Sequence, residues 1–168
     1  MRFPENGRPF FPALAAFLCL ALSWTPAGAE SSVPLSVGQT VYVPAYSHIY
    51  GGNRERPFYL AVTLSIRNTD PNHPLTVRSA DYFDSAGNRV KTYLKDPLEL
   101  GPMASTRIGV KESDKAGGSG ANFLVMWESG TKVTPPIIES VMIGTQTQQG
   151  ISFTSRGRVI RERCAPGD

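Results

Sequence analysis

The chain has little cysteine, little histidine, no amphipathic helical stretch and no strong excess of charge, and each shortage closes off a class of answer. Its two cysteines are Cys19 and Cys164. If the segment carrying Cys19 is removed, as read below, Cys164 cannot close an internal disulfide. In an exported chain it is then either a free tail thiol or half of an intermolecular bond. Stability must come from an ordinary apolar core. Two histidines, His48 and His73, leave few ways to assemble a nucleophile, a base and a group to orient that base. No His/Cys spacing of a metal motif occurs. The 17 Lys and Arg against 14 Asp and Glu are too nearly balanced to imply a polyanionic partner such as nucleic acid.

What is present begins with an export pattern. Arg2 and Arg8 precede a short apolar run over residues 13–24, and Ala27-Gly28-Ala29 supplies the small-x-small site of signal peptidase. This predicts a secretory signal peptide over 1–29, cleaved before Glu30, and a periplasmic or secreted protein. The run is shorter than the roughly 20 residues that cross a bilayer, so no membrane span is expected after cleavage. Phe17-Leu18 ahead of Cys19 lacks the small residue of a lipoprotein signal. Without Arg2, Arg8 and Glu5, the 17 basic and 14 acidic residues become 15 and 13.

From Phe58 to Arg67 the apolar residues Phe58, Leu60, Val62, Leu64 and Ile66 alternate with Tyr59, Thr63, Ser65 and Arg67. A period of two fits a strand with one buried face and does not fit a helix. The same logic predicts strands over 39–43, 75–84, 89–94, 106–111, 121–128, 137–144 and 150–155. In 75–84 the apolar parity changes between Val77 and Ala80, which a β-bulge near Ser79 would reconcile. Phe123, Val125 and Trp127 lie on one face of their strand and Leu124 and Met126 on the other, the mark of a central position. About eight strands separated by turn signals predict an all-β, antiparallel, immunoglobulin-like sandwich. The expected divisions are a signal peptide (1–29), a Ser/Pro linker (30–38), the β domain (39–157) and a basic, flexible tail (158–168).

If consecutive strands are antiparallel, the loops alternate between the two ends. The loop 45–57, the hairpin at Asp84, the glycine loop 112–120 and the turn 146–149 should share one end, and the turns 68–74 and 129–136 the other. Sandwich domains often place recognition in loops gathered at one end. Tyr46, His48 and Tyr50 would project to one face of an extended segment, there either to bind a ring, a peptide or a metal or to pack on the sheet edge. Arg54, Ser119 and Asn122 complete the candidate binding set. Ser119, in Gly117-Gly118-Ser119-Gly120, precedes a strand and lacks the strand-to-helix setting of a nucleophile elbow. Asp84 should cap its own turn, and Asp81 should pair with Arg78 or Arg107. Arg156, Arg158, Arg161 and Arg163 could meet anionic headgroups or remain solvated.

Val41-Tyr42-Val43-Pro44, Tyr46-Ser47-His48-Ile49-Tyr50, Ile66-Arg67-Asn68-Thr69-Asp70, Tyr82-Phe83-Asp84 and Gly117-Gly118-Ser119-Gly120-Ala121-Asn122-Phe123 to Trp127 resemble the bacterial family known as domain of unknown function 3124. The resemblance spans about residues 39–157. It implies an exported all-β protein and brings no activity, cofactor or catalytic residue. The residues themselves point to a non-enzymatic binding or interaction module, with no cofactor and an unidentified protein or small ligand of the cell envelope as its partner. The alternative is a copper carrier using His48 with Met103, Met126 or Met142.

Overall fold

The structure, a computed structural model, describes residues 34–51, 53, 55–145 and 150–163. The signal peptide, Arg54, the turn 146–149 and Cys164 lie outside the described residues. Those described form twelve strands and no helix. In one sheet β1 (Ser36–Pro44) lies between β12 (Arg158–Glu162) and β9 (Asn122–Val133), with β5 (Leu75–Phe83) beyond β9. Both β6 (Arg89–Thr92) and β7 (Leu98–Leu100) pair with β5. The second sheet runs β11 (Ile151–Arg156), β10 (Ile137–Gly144), β4 (Ala61–Arg67) and β8 (Ser105–Val110). A hairpin of β2 (His48–Gly51) and β3 (Arg56–Tyr59) stands apart. Every pairing is antiparallel, and neither main sheet closes into a barrel.

Alternation decides which side chains enter the core. Val62, Leu64 and Ile66 of β4, Phe123, Val125 and Trp127 of β9, and Val41 and Val43 of β1 belong to one buried cluster fed by both sheets. β9 is central, with β1 and β5 on its two sides. The expected bulge is present: Val77 pairs with Trp127 and Ser79 with Met126, which leaves Arg78 as the extra residue. Leu75, Val77, Ala80 and Tyr82 are thereby all buried, as a bulged strand permits.

Five segments depart from expectation. The strand over 58–67 is interrupted at Leu60, whose N–H donates to the Ser47 carbonyl at 2.9 Å, so Phe58 and Tyr59 belong to β3 instead. The loop 45–57 contains the β2–β3 hairpin, and Leu98–Leu100, outside the strands expected from the sequence, pairs with β5. The basic tail begins as an edge strand. All five residues of β12 are exposed, so no apolar alternation announces it. Its hold on β1 is polar: Glu162 accepts from Ser36 Oγ (2.9 Å) and Gln39 Nε2 (2.7 Å), and the Arg163 N–H donates to the Gly38 carbonyl (2.9 Å). For the same reason the linker ends early, since Ser36–Gly38 already belong to β1.

The turns 68–74 and 129–136 meet at one end. Thr69 Oγ1 donates to the Pro135 carbonyl and Ser129 Oγ to that of Pro74, both at 2.9 Å. Asp70, buried there, accepts from the N–H groups of Asn72 and His73 (2.9 Å each) and of Thr134 (3.1 Å). Donors from Asn72, then Thr134, favour the carboxylate and lower its pKa from 3.8 to about 2 against the opposing effect of burial. The His73 ring also meets this carboxylate, its Nδ1 3.2 Å from Asp70 Oδ1.

Two predictions follow from this packing. Because the folded pKa of Asp70 is depressed, its stabilisation is complete above about pH 4 and fades toward about pH 2. Asp70→Asn should therefore be less stable than the parent at pH 7, with the difference closing over that interval in denaturant titrations. The chain crosses from β11 to β12 at Gly157, where a Cβ would come within 2.6 Å of Val41 Cγ1 and 2.8 Å of the Ile138 carbonyl oxygen. Gly157→Ala should cost about 1–3 kcal/mol of unfolding free energy.

Candidate functional site

At the opposite end β1 stops at Pro44 and the chain is handed from one partner to the next by its own backbone. The Ala45 N–H donates to the Ala121 carbonyl (2.8 Å) and the Ser47 N–H to that of Gly118 (3.0 Å), while the Ser47 carbonyl accepts from Leu60. Ser47 is buried, and its Oγ lies 2.8 Å from the Tyr82 hydroxyl. One serine thus joins the exit of β1, the glycine loop, the entry to β4 and the core of β5. Burial raises the Tyr82 pKa, the hydrogen bond with Ser47 opposing the shift. Gly117 makes this contact possible, since a Cβ there would overlap the Tyr82 hydroxyl and approach Ala121 Cβ to 2.7 Å.

The hairpin after β5 is fastened to the same loop. Ser85 donates through its N–H (2.9 Å) and Oγ (3.1 Å) to the Gly117 carbonyl, and its Oγ accepts from the Gly120 N–H at 2.9 Å. Asp84 caps its turn as expected, accepting from the N–H groups of Ala86 (2.9 Å) and Asn88 (2.8 Å). Its carboxyl is held below the usual range, chiefly by the Asn88 side chain. Three of the four loops expected at this end are therefore assembled there.

The aromatic trio does not stay together. Tyr46, half-buried, packs edge-on against Phe153 of β11 at 5.8 Å, and the chain bends at Ser47. His48 and Tyr50, two residues apart on β2, share a face: their rings are 5.1 Å apart and His48 Nε2 is 3.2 Å from Tyr50 Oη. Tyr59, directly opposite His48 across the hairpin, joins them at 5.9 Å. Lys115 reaches in from the glycine loop to place Nζ 4.3 Å from the centre of the Tyr59 ring. A shallow hollow of about 490 Å³ adjoins it, lined by Tyr59, Lys111, Glu112, Ser113 and Lys115. The buried His48 Nδ1 has no hydrogen-bond partner among the described residues.

The family described as "Protein of unknown function (DUF3124)" matches residues 38–160. The chain belongs to this family. The match runs from the third residue of β1 into β12, so the assembled loop end lies within the DUF3124 domain. No curated protein matches the chain. Among solved structures, a protein described as Thermotoga maritima 1070 is similar at 13% identity and a TM-score of 0.46, over 74% of this chain and 97% of that one.

The remaining expected site residues divide between this end and elsewhere in the DUF3124 domain. Ser119 sits half-buried in the glycine loop. Asn122 opens β9 opposite Pro44 and Phe83, on the other side of its strand from the buried Phe123. Tyr59 and Lys115 went unrecognised in the sequence. Tyr59 fitted the outward parity of a longer strand, and only the hairpin register, with His48 and Tyr59 eleven positions apart, brings the two together. Asp81 accepts from Thr92 Oγ1 (2.6 Å), while Arg78 donates through Nε to Glu128 (2.6 Å), so the expected Asp81–Arg78 or Asp81–Arg107 pair is replaced by both of these contacts. Among the described residues, no three His, Cys, Asp or Glu side chains are grouped as metal ligands. Met142 is fully buried. Met103, whose N–H bonds to the Asp70 carbonyl, lies at the end of β4 remote from His48.

The contact between Tyr82 and Gly117 predicts coupling. Tyr82→Phe leaves the buried Ser47 hydroxyl without its partner and should cost about 1–3 kcal/mol. Gly117→Ala should cost less in the Tyr82→Phe background than alone, a difference that a double-mutant cycle in denaturant measures directly.

Proposed function

We propose that this DUF3124 protein is a non-enzymatic binding module of the cell envelope. It is exported through a cleaved signal peptide at 1–29 and folds as an immunoglobulin-like sandwich. Its ligand or protein partner docks on the ledge of His48, Tyr50, Tyr59 and Lys115 beside the glycine loop. The observation that carries this reading is the fastening of that end through Ser47, Gly117 and Ser85. Loops held by buried hydrogen bonds lose little entropy on binding, so a ledge mounted on them is preorganised. Tyr50 is 59% exposed, and rigid amphipathic tyrosines provide contact area at low entropic cost. Neither histidine has a serine hydroxyl within hydrogen-bond distance among the described residues: His48 bonds to Tyr50 and His73 to Asp70. No described helix is long and apolar enough to cross a membrane.

Copper carriage by His48 and a methionine is the second reading. It has less support, because Met103 is at the far end and Met142 is enclosed by the core. Native mass spectrometry of protein recovered from its own envelope, without added metal, separates the two. The binding-module reading expects a co-recovered molecule whose affinity falls at least about tenfold in Tyr50→Ala/Tyr59→Ala, as for loss of central aromatic anchors. Unchanged affinity would contradict it. A copper-sized increment lost in His48→Ala would favour the carrier.

A further inference from the structure

The basic run near the C-terminus, expected as a solvated tail, is an ordered edge strand. Pairing assigns its arginines to a face. Thr40 of β1 pairs with Arg161 on one side and Met126 on the other, and Tyr42 pairs with Arg158 and with Leu124. Directly opposed residues project to the same side of a sheet, their Cβ atoms about 5 Å apart. Val41 and Val43 are buried inward, so Thr40, Tyr42 and their cross-strand neighbours face outward. Two rows result, Arg158–Tyr42–Leu124 and Arg161–Thr40–Met126, separated by about 7 Å along the strand.

This outer face combines exposed apolar surface with arginines that no carboxylate pairs. Tyr42 is 37% exposed and Met126 42%. Beside them lies a groove of about 460 Å³ lined by Thr40, Met126, Arg78, Arg161 and Arg163 together with Glu128 and Glu162. Glu128 is held by Arg78 and Arg163, and Arg78 in particular lowers its pKa. Glu162 is engaged by Ser36 and Gln39. Arg158 and Arg161 have no side-chain partner among the described residues. Arg78, Arg158, Arg161 and Arg163 thus lie in or beside the groove with two carboxylates, Glu128 and Glu162. Asp81, on β5 like Arg78, stands directly across from Leu124 and is engaged by Thr92, and Glu99 of β7 stands across from Thr76.

We propose that the outer face of the six-stranded sheet docks on an anionic lipid surface, with headgroup phosphate in the arginine-lined groove and Tyr42, Leu124 and Met126 against the headgroup–acyl boundary. Charge complementarity selects an anionic occupant. A second copy of the chain would oppose arginines to arginines. Long, unpaired arginine side chains on an open edge strand suit a laterally mobile headgroup layer, which adapts to them, and an exposed tyrosine among them suits the membrane interface. This surface is separate from the His48 ledge, and the two readings stand or fall independently.

The test is co-sedimentation of the protein recovered from the envelope with vesicles of phosphatidylglycerol and phosphatidylethanolamine, compared with phosphatidylcholine vesicles. Binding should require the anionic lipid and weaken with salt. An arginine near such a surface contributes about fivefold in affinity. Arg158→Glu/Arg161→Glu should therefore lower binding about 25-fold or more, and Tyr42→Ser several-fold. Arg107→Glu makes the same charge change as Arg161→Glu, but on the exposed outer side of β8 in the other sheet, and should lower binding far less. Equal binding to both vesicle types, no binding, or equal loss in Arg107→Glu and Arg161→Glu would overturn the proposal. So would binding of inorganic phosphate strong enough to displace the protein from vesicles at millimolar concentration, or an effect of the variants on self-association alone.

Discussion

The hydrogen bond between Ser47 and Tyr82 forms only because Gly117 has no side chain. Its hydroxyls meet where a Cβ on that glycine would stand. Around this contact the backbone of Ser47 links Gly118 to Leu60, so a single buried residue fixes the relative positions of three chain segments. An unpaired hydroxyl in that setting would cost on the order of 1–3 kcal/mol, which makes the arrangement close to all-or-none. The β2–β3 hairpin and the glycine loop inherit their geometry from it, and with them the juxtaposition of His48, Tyr50, Tyr59 and Lys115.

The two ends of the fold solve the same problem with different chemistry. At one end a buried carboxylate, Asp70, gathers backbone N–H groups from two turns, a charged solution that depends on pH. At the other, neutral hydroxyls, amides and carbonyls join Ser47, Gly117 and Ser85, and the one carboxylate at the Ser85 hairpin, Asp84, caps its own turn. The contacts of Ser47 and Ser85 stay uncharged at ordinary pH, whereas the turn capped by the Asp84 carboxylate weakens on acidification as the Asp70 end does.

Much of the β architecture was legible because burial writes a period of two into the chain. Val62, Leu64 and Ile66 and the parity change between Val77 and Ala80 follow from one face being apolar, and the two-sided β9 follows from its central place. The elements that were not legible are those held by polar contacts or by register. The strand β12 has no buried residue, and its attachment through Glu162 and Arg163 reads in sequence as solvated charge. Tyr59 obeys the parity of β4, yet the turn at Leu60 assigns it to a hairpin, because the Leu60 N–H goes to Ser47. The gathering of loops was inferable from antiparallel alternation alone. Which side chains would meet there depended on where the chain bends at Ser47, and that depends on Gly117 far along the sequence.

Amide hydrogen exchange of the native protein tests the central claim, that the loop end is a rigid platform built on Ser47. The account predicts that the N–H groups of Ala45, Ser47 and Leu60 are protected to the level of the β4 core, while the amides of the exposed residues Tyr50 and Lys115 exchange quickly. Rapid exchange at Ser47 and Leu60, comparable with that of the exposed positions, would contradict it and leave the aromatic ledge without a fixed support.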